Sequence, residues 1–280
     1  MSQGNVEQYE YWEERALDWI DSVEETEIVL APYGGGAMDR LSLRQGQRVL
    51  DVGCGSGSTT FELARRVGDE GRAVGIDIAP AMITAATRLA DATQIGSASF
   101  FVADAQVESF EAATFDAIFS RFGVMFFADP KAAFSNLRKA LRPGGIVAFA
   151  CWQNVLLNEW MFVPGSAVMS VTGSLPLMPG PGEPGPFSLS DPDFIEALLR
   201  DAGFKNVDVT PKAETLALRG DEIESLVTFS QRVGPVREAL RTATPDTAEL
   251  ITAAVRSAIL ARAVDGVVKL SSSAFIVSAR

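Results

Sequence analysis

The sequence predicts an α/β domain built on a parallel sheet with crossover helices. Between residues 45 and 152, short β-branched or apolar runs alternate with helical stretches, and this order is typical of parallel strands joined by helices. One of these runs leads straight into a glycine-rich turn and then a helix. Continuous apolar runs such as 146–150 indicate strands that are covered on both faces. The 280 residues contain no internal repeat and no segment of distinctly different charge composition, so we predict one domain with insertions.

The N-terminal segment, residues 1–44, is predicted to form a helical cap. Apolar side chains recur in it at three- and four-residue steps, at Trp12, Ala16, Trp19, Ile20 and Val23. This spacing is typical of an amphipathic helix over about residues 5–30. The Tyr-Gly-Gly-Gly sequence at 33–36 predicts a turn, with a short second helix after it.

Residues 45–152 form the predicted ligand-binding core. Strands are expected at 48–52, 73–77, 98–102, 115–119 and 145–150. Helices are expected between them at about 58–67, 80–92 and 130–141, with a weak segment near 106–110. Pro80 and Pro130 mark two of the helix starts, because proline is tolerated in the first turn.

Residues 153–190 are predicted to form a Pro/Gly-rich lid. No charged residue occurs from 160 to 182, a length that could span a bilayer. Pro164, Pro176, Pro179 and Pro181 exclude a continuous membrane helix in this stretch. Loops of this length are usually lids or binding loops.

The C-terminal part, residues 191–280, belongs to the same domain in this interpretation. A capped helix over 190–204 closes at Gly203, and a strand follows near 205–211. Two helices, about 221–241 and 246–262, form an insertion within 221–262 before a last strand at 272–279.

Composition excludes several kinds of chemistry. The chain has no histidine, so histidine triads, His-ligated zinc and imidazole proton shuttles are excluded. Cys54 and Cys151 are the only cysteines; two thiols make neither a disulfide framework nor a zinc site, and we expect no metal. The formal charge of −12 argues against nucleic acid as a partner, because phosphate backbones are bound by Lys and Arg. The acidic N-terminus has no apolar signal-peptide region, and we expect a cytoplasmic protein that does not bind membranes.

The glycine-rich turn is the most informative segment. Gly53, Gly55 and Gly57 follow the strand at 48–52 and precede a helix. Glycines allow the backbone to turn tightly against a ligand, while a helix N-terminus offers free N–H groups. The NAD fingerprint requires glycine or alanine where this chain has Ser58, which disfavours a dinucleotide. Asp77 ends the next strand, where a carboxylate can accept hydrogen bonds from ribose hydroxyls.

Five motifs occur in order and carry a resemblance to a known family: VLDVGCGSG, GIDIAPAMI, VADAQ, FDAIFSRFGVMFF and LRKALRPGG. The chain resembles class I S-adenosylmethionine-dependent methyltransferases across residues 45–152. It is most similar to the small-molecule branch that includes the ubiquinone/menaquinone-type C-methyltransferases. DPDFIEALLRDAGF and AFIVSAR match the family more loosely. The resemblance implies a Rossmann-like seven-stranded sheet whose last strand is antiparallel.

The resemblance also implies a set of cofactor contacts. The methionine part would meet Asp51, Gly53, Gly55 and Gly57; the ribose would meet Asp77; the adenine would meet Ile78, Met82, Asp104 and Ala105; and Ser120, Arg121 and Phe122 would line the floor beneath the sulfonium. The residues themselves leave other interpretations open: Asp51 could satisfy backbone amides, and Asp77 could cap a helix. Arg121 could hold a substrate carboxylate or form an intramolecular ion pair.

The acceptor side is less constrained by the sequence. Expected substrate contacts are Tyr11, Trp12, Met125, Trp152 and Trp160. No catalytic residue is assigned; the candidates are Tyr9, Tyr33 and Arg121.

The expected reaction is methyl transfer from S-adenosylmethionine to a small apolar or aromatic metabolite, with S-adenosylhomocysteine as product. Such an in-line displacement depends mainly on holding both reactants aligned and dry, and a general base is needed only for an acceptor that cannot lose its own proton. The alternatives are a non-methylating rearrangement or decarboxylation, a non-catalytic S-adenosylmethionine-binding protein, and a nicotinamide oxidoreductase.

Overall fold

A central sheet organises the molecule, for which the computed structural model describes residues 3–93, 95–174 and 179–280. The strands are β1 (Arg48–Val52), β2 (Arg72–Asp77), β3 (Ala98–Val102), β4 (Phe115–Arg121), β5 (Leu141–Trp152), β6 (Asp208–Leu218), β7 (Ala263–Val264) and β8 (Val267–Ala279). Seven of them pair in the order β3-β2-β1-β4-β5-β8-β6, and the two-residue β7 pairs with β8. β1 to β5 are parallel, whereas β8 runs antiparallel to both β5 and β6. The Rossmann-like α/β prediction with an antiparallel last strand is confirmed, and β7 is an addition to it.

Helices cover both faces of this sheet. In the described residues they are α1 (Gln3–Ile20), α2 (Val23–Leu41), α3 (Ser58–Val67), α4 (Pro80–Thr93), α5 (Pro130–Ala140), α6 (Glu159–Thr172), α7 (Pro192–Asp201), α8 (Asp221–Arg232), α9 (Gly234–Thr242) and α10 (Pro245–Leu260). Side chains from neighbouring strands and helices, such as Leu50, Ile118 and Leu137, are completely buried between the layers. Because helices cover both faces of the parallel strands, side chains on both faces are buried, and the strands appear in the sequence as continuous apolar runs.

The start of α5 shows how local sequence sets an element boundary. Asp129 accepts a hydrogen bond from the Ala132 backbone N–H at 2.9 Å, and Pro130 occupies the first turn. Asp129 is therefore the N-cap of α5. Pro130 follows it in the first turn, where a backbone N–H would have no partner within the helix. The weak segment near 106–110 forms turns rather than a helix.

The predicted turn at 33–36 is wrong, because α2 continues through it. The chain breaks instead after α1, at Asp21 and Ser22. A Cβ atom on Gly34 would lie 2.7 Å from Cδ of Arg121. The absence of a side chain at Gly34 therefore lets the helix pass close over the end of β4.

Two predictions in the C-terminal half also need correction. Residues 221–241 form two helices, because the chain breaks at Gly234 with φ of +66°. The predicted lid contains α6, with Pro164 inside the helix, so much of the charge-poor stretch is helical. Pro176 lies outside the described residues.

Among the described residues, no helix combines the length and apolar character needed to cross a bilayer.

Candidate cofactor and acceptor site

One cavity of about 260 Å³ lies at the carboxyl ends of β1, β2 and β4. Open parallel sheets bind ligands at this edge. α1, α2, α6, α8 and α9 contribute the opposite walls. Most of the predicted site residues line this cavity: Tyr11, Trp12, Gly53, Gly55, Asp77, Ile78, Met82, Asp104, Ala105, Arg121, Phe122, Met125, Trp152 and Trp160.

The glycine loop has room for a ligand on one side only. Gly53 has φ of +69°, and an added Cβ would lie 2.9 Å from the backbone of Gly123. At Gly55, with φ of +55°, an added Cβ would meet no protein atom within 4 Å. Only glycine adopts these conformations readily. The loop therefore packs closely behind Gly53 and presents open backbone to the cavity at Gly55.

Asp77 holds the loop and still faces the cavity. One carboxylate oxygen accepts a hydrogen bond from the Gly55 N–H at 2.9 Å, and the other accepts one from the Ala79 N–H at 3.0 Å. Burial raises the pKa of Asp77, an effect opposed by these backbone donors. Each carboxylate oxygen can accept a second hydrogen bond, so the group can serve the loop and a ligand hydroxyl together.

Asp104 is covered by the N-terminal helix. Its carboxylate accepts hydrogen bonds from the Gln106 N–H, at 2.9 Å, and from the side-chain amide of Asn5. Burial raises its pKa, while Gln106 and Asn5 act in the opposite direction. Both Asn5 and Asp104 line the cavity, so α1 closes the end of the cavity where adenine is expected.

Three expected cofactor contacts lie behind the cavity wall. Asp51 is completely buried, and its Oδ2 accepts hydrogen bonds from the hydroxyls of Thr59 and Thr60, both at 2.7 Å. Ser120 donates to the Val52 carbonyl at 2.7 Å. A Cβ on Gly57 would lie 2.9 Å from the Phe100 ring. These residues do not line the cavity. The expectation that they contact the cofactor directly is therefore corrected: they support the glycine loop and α3.

Arg121 forms an intramolecular ion pair. Its guanidinium meets the Glu27 carboxylate through two bonds of 2.7 and 2.6 Å, and Ser58 donates to Glu27 at 2.9 Å. Burial tends to raise the pKa of Glu27, but the hydrogen bonds and charge of Arg121 outweigh it, and the pKa is lowered. Of the two interpretations open for Arg121, the ion pair is the one that the structure contains. Glu27 therefore links α2 to the first residue of α3 and to the end of β4.

The floor of the cavity is strained and aromatic. Phe122 has φ of +63°, a left-handed conformation that costs roughly 1–2 kcal/mol in a non-glycine residue. Strain of this kind is common at functional sites. In this conformation the Phe122 ring stacks on Trp152, with centroids 3.9 Å apart, and Trp152 meets Trp160 at 5.4 Å. Trp160 stacks on Phe229 at 6.2 Å, and Phe229 meets Trp19 at 6.4 Å.

All four tryptophans of the chain, Trp12, Trp19, Trp152 and Trp160, line the same cavity. The rings come from α1, β5 and α6. They build an apolar chamber beside the glycine loop, a composition typical of small-molecule sites.

Two of the tyrosine candidates are not brought to the cavity. Tyr33 is completely buried, and its hydroxyl donates to Ser272 at 2.8 Å. Burial raises its pKa to about 12, so it is corrected from a candidate base to a support for the Phe122 and Trp152 rings that it touches. Tyr9 does not line the cavity.

Sequence reasoning missed several cavity residues that come from distant elements. They are charged groups at the rim and in the wall, Arg15, Glu27 and Arg237, and apolar groups of the C-terminal insertion, Leu226 and Phe229. Arg15 stacks 3.7 Å above the Tyr11 ring and pairs with Glu238. No local motif marks these residues, because they meet the site only through packing of helices that are far apart in sequence.

The comparisons with known proteins agree with this geometry. A family profile described as a methyltransferase domain matches residues 49–145. Nocamycin O-methyltransferase from Saccharothrix syringae is 31% identical over 203 residues, which cover 70% of this chain and 72% of that protein. Aklanonic acid methyltransferase DauC from Streptomyces sp. (strain C5) is 37% identical over 118 residues, covering 42% of this chain and only 54% of that protein.

The fold is also found among solved structures. The YcgJ protein from Bacillus subtilis superposes with a TM-score of 0.57 at 16% identity, covering 89% of this chain and 97% of that chain. With the glycine loop, the two strand-end carboxylates and a relative matched over most of its length, the chain belongs to the class I S-adenosylmethionine-dependent methyltransferases.

Proposed function

We propose that the protein transfers the methyl group of S-adenosylmethionine to a small, largely apolar or aromatic metabolite. One observation carries the proposal: a single cavity is lined both by Gly55, Asp77 and Asp104 and by the four tryptophans. A cofactor held by the first group and an acceptor held by the second would occupy the same enclosed space. The names of the two relatives, an O-methyltransferase for nocamycin and a methyltransferase for aklanonic acid, support a small-molecule acceptor.

The residues of the loop fit the cofactor. The open side of Gly55 leaves space for a ligand against the backbone, and Asp77 retains free acceptor capacity towards a ribose. Asp104, Ala105, Ile78 and Met82 line the same cavity, which supports a role for the first two in recognising an adenine edge and for the last two as its apolar neighbours. When bound, S-adenosylmethionine supplies an already activated methyl group on a cationic sulfonium.

The chain's own contribution is alignment and exclusion of water. The Arg121–Glu27 pair neutralises both charges beside the floor, and the tryptophan chamber removes water from the acceptor. Holding two reactants in a productive orientation accounts for a large share of rate enhancement in such displacements. Glu27 is held ionised and occupied by Arg121, so the proposed reaction does not use it as a base. Tyr11 remains a cavity residue with a hydroxyl, and the proposal assigns it no proton transfer.

We further propose a cytoplasmic location and a small-molecule substrate, with neither nucleic acid nor membrane as a partner. Two buried free thiols, Cys54 and Cys151, suit a reducing compartment, and the charge of −12 disfavours nucleic acid.

Two measurements test the function. Mass spectrometry of small molecules retained during native purification should detect S-adenosylmethionine or S-adenosylhomocysteine together with an aromatic metabolite. Incubating that metabolite with S-adenosylmethionine should yield equal amounts of S-adenosylhomocysteine and a product heavier by one methylene. Acceptor turnover without S-adenosylhomocysteine would instead support a non-methylating reaction, and cofactor binding with no turnover of any retained compound would support a non-catalytic binding protein.

A further inference from the structure

One arginine of the cavity wall has no ionic partner. The cavity is lined by four arginines, Arg15, Arg121, Arg232 and Arg237. Three of them form ion pairs with carboxylates, whereas Arg232 forms none within the described part of the chain. Acidic residues outnumber basic ones 36 to 24, so a shortage of carboxylates is not the cause. The charge of Arg232 therefore remains available to a ligand.

The hydrogen bonds of Arg232 leave one edge of its guanidinium open. Nη1 donates to the Asp21 carbonyl at 3.0 Å and to the Ser22 hydroxyl at 3.2 Å, which ties the end of α8 to the break between α1 and α2. Nε and Nη2 make no hydrogen bond to the described residues, and neither belongs to the unpartnered atoms that are sealed from solvent. The N–H groups of Nε and Nη2 point in the same direction and form a two-donor fork that binds both oxygens of a carboxylate.

Arg232 borders the tryptophan chamber. Phe229 lies three residues earlier on α8, a spacing that puts both side chains on the same side of the helix, and both residues line the cavity. The Phe229 ring stacks on Trp160 and meets Trp19. Ser22, which holds the guanidinium, donates its backbone N–H to the Trp19 carbonyl at 3.3 Å. The charge therefore lies at the edge of an aromatic wall, on the side formed by α1 and α8.

The partial burial of Arg232 favours an anionic group over a neutral one at this edge. The residue is partly buried, so its charge is incompletely hydrated, and withdrawing a cation from water is costly unless an opposite charge is supplied. A carboxylate bound at the edge stays near solvent, while the ring that carries it packs against the aromatic wall. This placement avoids burying an unpaired anion among the tryptophans.

We propose that Arg232 is a specificity-determining residue that binds a carboxylate on the otherwise apolar acceptor through Nε and Nη2. This rests on the proposed function, since it takes the tryptophan chamber to be the acceptor site. The substrate class is an aromatic acid whose ring occupies the chamber and whose carboxylate lies at the edge next to α8. Arg121 is not the anchor, because Glu27 occupies its guanidinium.

Calorimetry on the full chain saturated with S-adenosylhomocysteine compares 2-naphthoate with its neutral counterpart 2-naphthamide at neutral pH. The wild type should bind 2-naphthoate about tenfold more tightly, as charge-assisted hydrogen bonds at a partly exposed site predict. Arg232→Gln should abolish this preference and leave the affinity for 2-naphthamide nearly unchanged. Arg232→Lys keeps the charge without the fork, so it should retain only part of the preference.

Arg219→Gln is the matched control. Arg219 precedes α8, is exposed and does not line the cavity, so this variant makes the same change in net charge and should keep the wild-type preference. A spectroscopic readout separates binding from a general loosening of the fold. The arginine Nε–H signal of the ¹⁵N–¹H spectrum that is lost in Arg232→Gln should move when 2-naphthoate is added and stay in place with 2-naphthamide.

The affinity for S-adenosylhomocysteine distinguishes the acceptor's carboxylate from that of the cofactor. We expect Arg232→Gln to bind S-adenosylhomocysteine nearly as tightly as the wild type. A loss as large as the loss for 2-naphthoate would assign Arg232 to the methionine carboxylate and overturn the inference. Equal wild-type affinities for the two probes, no binding of 2-naphthoate, or an undiminished preference in Arg232→Gln would also overturn it. Failure of the wild type to bind S-adenosylhomocysteine at all would instead contradict the proposed function.

Discussion

At the scale of single residues, Asp77 combines two tasks that the sequence presents as alternatives. Its carboxylate accepts the Ala79 N–H at the start of α4, as a cap would, and the Gly55 N–H in the loop. It also lines the cavity. The same side chain thus shapes the loop and contributes to the wall of the proposed ribose site.

We expect Asp77→Ala to weaken S-adenosylhomocysteine binding by about 1–3 kcal/mol, because ribose hydroxyls and the loop N–H would lose their acceptor. Asp77→Asn keeps the size and one acceptor oxygen, so its loss should be smaller. Calorimetry measures both affinities, and urea unfolding checks that the variants remain folded. Unchanged affinity in folded Asp77→Ala would remove this residue from the site.

Asp51 makes the stability depend on pH in a direction unusual for a carboxylate. Burial raises its pKa from 3.8 to about 6, against the opposing hydrogen bonds of Thr59 and Thr60. The folded protein therefore keeps a proton that the unfolded chain releases. Its contribution to stability is full below about pH 4 and is lost as the pH rises through 6.

Asp51→Asn removes this titration. Between pH 5 and 7.5 the free energy of unfolding of the wild type should therefore fall by on the order of 1 kcal/mol relative to that of the variant. Urea unfolding at both pH values measures the difference. If wild type and variant change in parallel over this range, Asp51 does not carry the raised pKa.

At the scale of elements, α2 shows how glycines inside a helix can serve packing. Gly34 lies over the side chain of Arg121, which Glu27 of the same helix holds in place. Gly35, the next residue, has no atom within 4 Å of an added Cβ. Two adjacent glycines thus differ in environment while sharing the same helical backbone.

Gly34→Ala and Gly35→Ala form a matched pair. Alanine at 35 should stabilise the protein by about 0.5–1 kcal/mol, the ordinary helix gain over glycine. Alanine at 34 should destabilise it by about 1–3 kcal/mol, because the new methyl group displaces a pinned arginine. Urea unfolding gives the free energy of unfolding of both variants. Equal changes at the two positions would show that Arg121 moves aside at no cost.

The helical insertion illustrates why some boundaries escaped prediction. Gly234 interrupts an otherwise continuous helical pattern over 221–241 with a positive φ, and one glycine in such a pattern is compatible with either a continuous or a broken helix. α6 lies in the stretch whose length and Pro/Gly-rich, charge-poor composition predict a lid, and tertiary packing accommodates Pro164 inside this helix. Its buried face, including Trp160, Val163 and Val168, stabilises the helix through contacts that propensity does not describe.

At the scale of the whole molecule, the N-terminal helix α1 meets α9 of the helical insertion beside the cavity. Arg15 of α1 pairs with Glu238 of α9, and Arg237 pairs with Asp18 at 2.8 Å. The side chains of both arginines are mostly buried, 10% and 14% exposed. An ion-pair network thus joins residues more than two hundred positions apart in sequence, and it involves the same helix, α1, whose Asn5 side chain meets Asp104.

Glu238→Gln should loosen this closure. Removing the Glu238 charge leaves Arg15 with only the more exposed Glu14 as an ionic partner, and this should destabilise the contact between α1 and α9 by about 1–2 kcal/mol, between the values for exposed and buried pairs. We expect faster hydrogen exchange in α1 and faster dissociation of S-adenosylhomocysteine in stopped-flow experiments. Glu224→Gln, which breaks the more exposed Glu224–Arg256 pair between α8 and α10, is the control. Identical dissociation rates in both variants would show that the network does not hold α1 closed.

Features that depend on neighbouring residues could be predicted from the sequence, whereas contacts between residues far apart in the sequence could not. The strands of the core were predicted to within a few residues because buried β-branched runs and adjacent turns are local signals. The glycine loop, Asp77 and Asp104 were found for the same reason, since each follows its own strand. Glu27, Arg237 and Phe229 were not, because helix packing across the sheet brings them to the cavity. The motif does not specify side-chain direction, so the sequence leaves open whether Asp51 contacts the methionine part or serves the structure; its carboxylate accepts hydrogen bonds from Thr59 and Thr60.

The convergence of every tryptophan on one cavity has an optical consequence. Excitation at the red edge of protein absorption selects indoles, so nearly all emission from this protein originates in the wall of this cavity. A ligand that quenches indole fluorescence would lower that emission when it binds in the cavity, and the signal would carry no background from indoles elsewhere. The intrinsic tryptophan fluorescence of the unlabelled protein therefore reports binding in the cavity. Measuring it with a set of candidate metabolites can rank possible acceptors before any product is known.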